Sequence, residues 1–146
     1  MSQSGDSDLD RSEPATDWFL GTPLPCHRAA DMPLRLLAHL GDAVFHLYER
    51  EREVAATHSV SQMHKRARVN AQKQCELLNQ ILAELTENEK EIVRRARNIK
   101  PSGYRKIDQA TYRQATAFEA LLGYLYIENQ ARLKQVLALT APAGTP

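Results

Sequence analysis

The 146-residue sequence predicts an all-α fold, and three observations support this prediction. Apolar residues recur at three- and four-residue spacing, most clearly between Leu36 and Tyr48, as on one face of an amphipathic helix. Thr86, followed by Glu89 three residues later, has the spacing of a capping box at the start of a helix. No stretch of the sequence alternates apolar and polar residues in the way that is typical of a half-buried strand.

The predicted helices lie between residue 31 and residue 140, with a break after the first helix and a loop over 99–107. The first begins at Asp31, a residue type that often caps helices, and Pro33 is tolerated in its first turn. Gly41 interrupts its apolar face at a cost of about 1 kcal/mol relative to Ala. A glycine there predicts a close approach of two helices, and the two-fold axis of a dimer is one place where it would occur. Further helices are predicted over 60–85 with a bend near Asn70, over 86–98, over 108–128 and after 129.

Length and composition describe one globular domain between two tails. With 42% hydrophobic and 25% charged residues, the chain can bury one core. Residues 1–30 are predicted to be a disordered or extended N-terminal tail, residues 31–140 the folded domain, and residues 141–146 a C-terminal tail. The sequence has no apolar run of about 18 residues and no secretory signal pattern. Cys26 and Cys75 lack metal-ligand or disulfide spacing, so a cytoplasmic protein without a membrane span is the simplest interpretation.

Charge is distributed unevenly along the chain, although the formal net charge is only +1. The first 17 residues contain five acids and one arginine, whereas residues 94–106 contain six bases and no acid. A local positive patch attracts polyanions even when the whole chain is nearly neutral. This basic tract, RRARNIKPSGYRK, therefore predicts a phosphate-binding surface.

The basic tract and a second basic patch supply the candidate contacts to a nucleic acid. Double-stranded RNA is recognised mostly through its shape, phosphates and 2′-hydroxyls. Basic side chains can contact the phosphates, and neighbouring amide and phenol groups can form hydrogen bonds with the hydroxyls. The alternative is an ordinary helix end, because arginines there also complement the helix dipole. The candidates in the tract are Arg94, Arg95, Arg97, Asn98, Lys100 and Tyr104, and those in the second patch are His64, Lys65, Arg66 and Arg68.

Two isolated acids, Asp42 and Glu119, lie inside otherwise apolar helical segments. An ionised carboxylate among apolar side chains is costly unless it is compensated, and a shared divalent cation would compensate both. Magnesium prefers oxygen ligands, keeps several waters and can activate water for attack on a phosphodiester. The alternative, that both acids simply face solvent on their helices, stays open on spacing alone.

Two long motifs resemble the ribonuclease III family. The segment LAHLGDAVFHLY is similar to the signature helix with its Leu-Gly-Asp core, and ATAFEALLGYLYIE is similar to the last long helix of the catalytic domain. More narrowly, residues 34–139 resemble Mini-ribonuclease III, the branch without a separate double-stranded-RNA-binding domain. The order and separation of the two motifs agree with the family.

The resemblance implies an all-α ribonuclease III catalytic domain over 31–140 that acts as a homodimer, with signature helices at the two-fold axis. It implies that Asp42 is the catalytic aspartate, that Glu119 is a metal-binding glutamate, and that Mg²⁺ is the cofactor. The expected activity is cleavage of double-stranded RNA to 5′-phosphate ends, with large-subunit ribosomal RNA precursor as substrate. A ribosomal protein that presents this RNA is an optional partner, and the compartment is the bacterial cytoplasm or the plastid stroma. The alternative is a non-catalytic RNA-binding or ribosome-assembly factor on the same fold.

Three positions depart from the pattern of the longer ribonuclease III enzymes. Arg35, Ala38 and Thr116 stand where those enzymes carry acids. The losses fit the Mini-ribonuclease III branch, and they leave Asp42 and Glu119 as the expected main protein ligands of the metal.

Overall fold

The computed structural model describes residues 26–56, 70–99 and 109–141, and all regular structure in these ranges is helical. The all-α prediction is thus confirmed. The α-helices are α1 (Leu34–Ala56), α2 (Ala71–Ile81), α3 (Glu87–Arg97), α4 (Gln109–Glu128) and α5 (Gln130–Leu139). Two 3-10 helices, Cys26–Asp31 and Leu82–Glu84, precede α1 and follow α2. Within the described ranges, no helix is long and apolar enough to cross a membrane.

Helix α1 begins later than predicted, and the packed part of the chain begins earlier. The Pro33 carbonyl accepts hydrogen bonds from the amides of Leu36 and Leu37, at 3.0 and 3.2 Å, which closes the first turn of α1. Asp31 is instead the last residue of the preceding 3-10 helix. Ala29 in that helix is fully buried. The predicted tail boundary at residue 30 therefore falls inside the packed structure, and 26–30 are not extended.

Helix α4 lies at the centre of the fold and packs against α1, α2, α3, α5 and the first 3-10 helix. Its buried residues occur on nearly every side of the helix, as expected for a helix that is apolar almost all round. Phe118 of α4 meets Phe45 of α1 edge to face, with ring centroids 5.1 Å apart. Helix α4, which carries Glu119, is therefore buried in the core of the domain.

Helices α1 and α4 touch backbone to backbone at two glycines. A Cβ on Gly41 would lie 1.7 Å from the Glu119 carbonyl oxygen, and a Cβ on Gly123 would lie 1.9 Å from the Leu37 carbonyl oxygen. Neither position can therefore carry a side chain without separating the helices. The close approach predicted at Gly41 is confirmed, but it joins α1 to α4 of the same chain rather than two copies across a symmetry axis.

Two capped helix starts position α2 and α3. Asn70 has extended backbone angles, and its Oδ1 accepts a hydrogen bond from the Lys73 amide at 2.9 Å. It is thus the N-cap of α2 rather than a bend, and the part of the predicted helix before it lies outside the described residues. Helix α2 gives way to 3-10 geometry after Ile81. The capping box predicted at α3 is confirmed, because Thr86 and Glu89 exchange hydrogen bonds of 2.9 and 3.2 Å.

Helix α5 is tied to the start of α3 by a two-bond ion pair. Arg132 donates to both carboxylate oxygens of Glu89, at 2.8 and 2.9 Å, and also to the Glu84 carbonyl at 3.0 Å. Burial alone would raise the pKa of Glu89, but the hydrogen bonds from Arg132 and Thr86 and the charge of Arg132 outweigh it and lower the pKa. The buried Glu89 is thereby held ionised where α5 contacts the start of α3.

Candidate active site

An open pocket of about 330 Å³ lies between α1, α4 and the end of α3. Its walls combine acidic, basic and apolar side chains, so it suits a polar ligand better than a purely apolar one. The lining residues are Arg35, Ala38, His39 and Asp42 from α1, Tyr112, Thr116 and Glu119 from α4, and Ile99 after α3. The two acids singled out in the sequence, 77 positions apart, thus line the same pocket.

Asp42 lies at the accessible side of this pocket. Its side chain is 50% exposed, and its Oδ1 lies 3.3 Å from Nδ1 of His46, one helical turn later. The same ring nitrogen lies 2.8 Å from the Asp42 backbone carbonyl oxygen, which makes it the donor to that oxygen. The solvent-facing and the functional interpretation of Asp42 are therefore compatible, because the carboxylate reaches both water and the pocket.

Glu119 is partly buried between α1 and α2. Burial raises the pKa of Glu119 to about 8, and a hydrogen bond with Asp42 and the negative charge of Asp42 act in the same direction. The Gln74 side-chain amide donates to Glu119 Oε2 at 3.2 Å and opposes this rise. Two carboxyl groups in hydrogen-bonding contact hold a proton that a cation can replace.

The donor set fits a hard divalent cation such as magnesium. Asp42 and Glu119 offer adjacent carboxylate oxygens, and magnesium commonly uses one or two carboxylates while waters and phosphate oxygens complete its shell. In the part of the chain that the structure describes, no group of three or more His, Cys, Asp or Glu side chains could hold a metal ion. A closed, all-protein cage is therefore not formed by these residues. The three positions that lack acids, Arg35, Ala38 and Thr116, all line the pocket.

The end of the basic helix α3 lies beside the pocket, because Ile99, two residues after the helix, forms part of its wall. Arg95 and Arg97 flank the helix end, and they donate to the Ala30 carbonyl at 3.4 Å and to Gln114 Oε1 at 3.3 Å. Asn98 is exposed at the C-cap of α3. These three predicted RNA contacts are thus near the acids, on the protein surface or half-buried.

Arg94 is exposed but already has a partner. Its guanidinium donates to both carboxylate oxygens of Glu91, at 2.9 and 2.6 Å. The hydrogen bond to Glu91 and the charge of that carboxylate raise the pKa of Arg94. An RNA phosphate would have to displace or share Glu91 to reach this side chain. The remaining predicted contacts, His64, Lys65, Arg66, Arg68, Lys100 and Tyr104, lie outside the described residues.

Three residues near the acids were not predicted from the sequence. His39 and Tyr112 line the pocket, and Gln74 contacts Glu119. His39 precedes Asp42 by three residues and Tyr112 precedes Glu119 by seven, so helical spacing could have placed both on the faces of the acids. Gln74 carries no such signal, because its partner is 45 residues away.

An all-α domain with two touching carboxyl groups in an open pocket beside a basic helix end has the side chains expected of a phosphodiester hydrolase, which is the class that the fold and the site indicate. Comparison with known proteins narrows this class. Residues 35–130 match the family described as Ribonuclease III domain. The chain therefore belongs to the ribonuclease III family, and it is an endoribonuclease of that family.

Relatives of known name agree with the resemblance seen in the sequence. The Mini-ribonuclease 3 of Synechocystis is 43% identical over 70% of this chain and 73% of its own length. The Mini-ribonuclease 3 of Symbiobacterium thermophilum is 42% identical over 75% of this chain and 88% of its own length. The crystal structure of a Fusobacterium nucleatum protein is 30% identical, covers 77% of this chain and 92% of that one, and superimposes with a TM-score of 0.65.

Proposed function

We propose that the chain cleaves double-stranded RNA at a magnesium ion held by Asp42 and Glu119, and that its substrate is a large-subunit ribosomal RNA precursor. The observation that carries the proposal is the contact between these two carboxyl groups in one pocket beside the basic end of α3. Relatives named Mini-ribonuclease 3 support it, and their bacterial sources make the bacterial cytoplasm the proposed compartment.

The two acids have different tasks in this proposal. Glu119, partly buried and held by Gln74, offers a fixed oxygen in the wall of the pocket. Asp42, half-exposed, reaches the side from which water and RNA enter. A magnesium ion bound there would lower the pKa of a coordinated water and stabilise negative charge on the phosphate. The open pocket has room for a backbone phosphate beside the acids.

The basic side chains at the end of α3 would bind the RNA backbone. Arg95 and Arg97 lie on either side of the helix end, and Asn98 can bond to sugar hydroxyls. Such phosphate contacts make binding strongly dependent on salt. Replacing Arg94, Arg95, Arg97 and Lys100 together with Ala should weaken duplex binding and flatten its salt dependence. Unchanged binding would contradict this role for the basic tract.

A homodimer is part of the proposal, because α1 exposes large apolar side chains on one face. Leu36, Leu47 and Val54 are 54%, 50% and 68% exposed, and their spacing of eleven and seven residues puts them in line along the helix. A second copy packed on this stripe would cover it symmetrically. Leu47→Glu should shift the protein to monomer in sedimentation velocity, whereas Ala138→Glu on the exposed side of α5 should not.

A cleavage assay with matched variants tests the site. Duplex RNA should be cut with magnesium by the native chain and by the controls Glu51→Gln on α1 and Glu128→Gln on α4, both exposed acids. Asp42→Asn and Glu119→Gln should abolish cutting, while gel-shift binding with calcium stays within about threefold. Binding without cleavage at any magnesium concentration would instead favour a non-catalytic RNA-binding or ribosome-assembly factor.

The RNA preference needs a separate comparison. A precursor fragment containing the stem formed by the two ends of large-subunit ribosomal RNA should be cut at a few positions. An unrelated duplex of equal length and base composition should be cut more slowly and at scattered positions. Equal rates and cleavage patterns for both RNAs would contradict the ribosomal RNA precursor as substrate, but they would not contradict the proposed nuclease activity.

A further inference from the structure

Gln74 is a buried amide in the first turns of α2 that touches one of the proposed metal ligands. It is only 5% exposed, and its Nε2 donates to Glu119 Oε2 at 3.2 Å. It stands behind Glu119 instead of among the side chains that line the pocket. Burying an amide without a hydrogen bond costs free energy of folding, so this contact favours the arrangement in which both partners are held together.

The start of α2 determines where this amide lies. Asn70 caps the helix through Lys73, and the Gln74 backbone amide makes the first helical hydrogen bond, to the Asn70 carbonyl at 2.9 Å. Gln74 is therefore one turn after a fixed helix start. Its neighbours along the same face of α2, Leu77, Leu78 and Ile81, belong to the core. Packing of this face brings Gln74 against Glu119 on α4.

The chemistry of an amide suits a partner that must not compete with a cation. The N–H of Gln74 occupies one lone pair on Oε2 and so restricts rotation of the carboxylate about its last bond. A lysine or arginine here would place a positive charge beside Glu119 and compete with a divalent ion, whereas an uncharged amide does not. The remaining lone pairs can then be directed towards Asp42 and the pocket.

We propose that Gln74 is a positioning residue, which orients the Glu119 carboxylate for the divalent cation through this single hydrogen bond. The inference rests on the proposed function, in which Glu119 is a metal ligand. Removing partners of this kind typically costs 10- to 100-fold in metal affinity or activity. The effect of losing Gln74 should therefore appear in the metal requirement, with RNA binding unaffected.

The test compares Gln74→Met with Gln80→Met. Methionine keeps the length of the side chain and removes the donor, and Gln80 on the same helix donates to the Leu139 carbonyl at 2.9 Å, away from the pocket. Gln74→Met should raise the magnesium concentration for half-maximal cleavage by about tenfold or more, with the rate largely restored at saturating magnesium. Gln80→Met should leave it unchanged. Calcium-supported duplex binding should be the same in both variants, and circular dichroism melting should place both above the assay temperature.

A second measurement needs no variant to fold. In the native protein labelled with nitrogen-15, the side-chain amide signals of Gln74 should shift during a magnesium titration, and those of Gln80 should not. Absence of a shift at Gln74, or a magnesium requirement of Gln74→Met equal to that of Gln80→Met, would overturn the inference. The proposed function would survive that result if Asp42→Asn and Glu119→Gln are inactive, and it would fail by itself if either variant still cuts RNA.

Discussion

Replacing Gly41 with alanine would force α1 and α4 apart. The added Cβ would lie 1.7 Å from the Glu119 carbonyl oxygen, whereas ordinary contacts begin near 3.4 Å, so the helices must separate by more than an ångström. Overpacking of a core typically costs about 1–3 kcal/mol, and a clash with backbone belongs at the upper end because no side chain can rotate away. Glycine-to-alanine replacement in a helix otherwise gains about 1 kcal/mol. The expected net loss of unfolding free energy is about 2 kcal/mol, measured by urea denaturation.

The same variant should lose activity beyond its loss of stability. Gly41 precedes Asp42, and its contact is with the backbone of Glu119 itself, so separating the helices displaces one carboxylate from the other. Misplacement of catalytic groups by about 1 Å can cost about 100-fold in rate. Cleavage by the folded fraction should therefore fall by about that factor. A variant as stable as the native protein, or one with unchanged cleavage, would refute the reasoning.

Gly123 provides an internal check on this interpretation. A Cβ at Gly123 would meet the Leu37 carbonyl oxygen at 1.9 Å, across the same pair of helices. One separation relieves both clashes, so Gly41→Ala and Gly123→Ala combined should cost less than the sum of the single changes. Additive costs would indicate that the two glycines serve unrelated contacts.

Three further predictions concern charge. Glu91→Ala should release Arg94 and tighten duplex binding roughly two- to fivefold at low salt, measured by fluorescence anisotropy, and weaker binding would contradict a role for Arg94 in RNA contact. A proton must leave the Asp42–Glu119 pair before a cation binds, and the pKa of Glu119 is raised to about 8. The magnesium concentration for half-maximal cleavage should therefore rise about tenfold for each pH unit below about 8 and stay constant above it. A flat profile would contradict that competition. Glu89 has a folded pKa below its usual 4.5, so its stabilisation is complete above that value and should be lost as pH falls through the lowered one. Arg132→Met should flatten this acid limb of the stability profile.

Much of the site could be predicted because its main residues carry local signals. Asp42 and Glu119 are conspicuous because each is an acid within an apolar helical segment. Thr86 and Glu89 mark a helix start by their three-residue spacing. Gln74 could not be predicted, because a glutamine in an amphipathic helix is ordinary until a distant helix is packed against it. The start of α1 was misplaced because an aspartate two residues before a proline is typical of a helix start, whereas Asp31 in fact ends a separate 3-10 helix. The burial of Ala29 in that helix is a tertiary effect, which local sequence does not signal.

The sequence also could not predict which backbone segment packs against Gly41. A helical glycine indicates that some backbone comes close, but it does not say whose, and a dimer axis satisfies the pattern as well as a second helix does. The Arg94–Glu91 ion pair on the surface likewise could not be predicted from the density of basic residues alone. The density of bases from 94 to 106 predicts a positive patch, while the acid three residues before Arg94 decides how much of that charge is available.

The packing of α1 on α4 and the geometry of the two acids are a single structural feature. Each motif joins a glycine to an acid on the same helix: Gly41 is adjacent to Asp42, and Gly123 follows Glu119 by four residues, one helical turn. The glycines allow backbone contact, and that contact brings the acids within hydrogen-bonding distance although 77 positions separate them. The backbone contact therefore limits how far apart the two acids can lie, and side-chain contacts such as that of Gln74 then orient the carboxylates. A site with few protein ligands depends on such rigidity, because each remaining oxygen must already be in place when the cation and the RNA phosphate arrive.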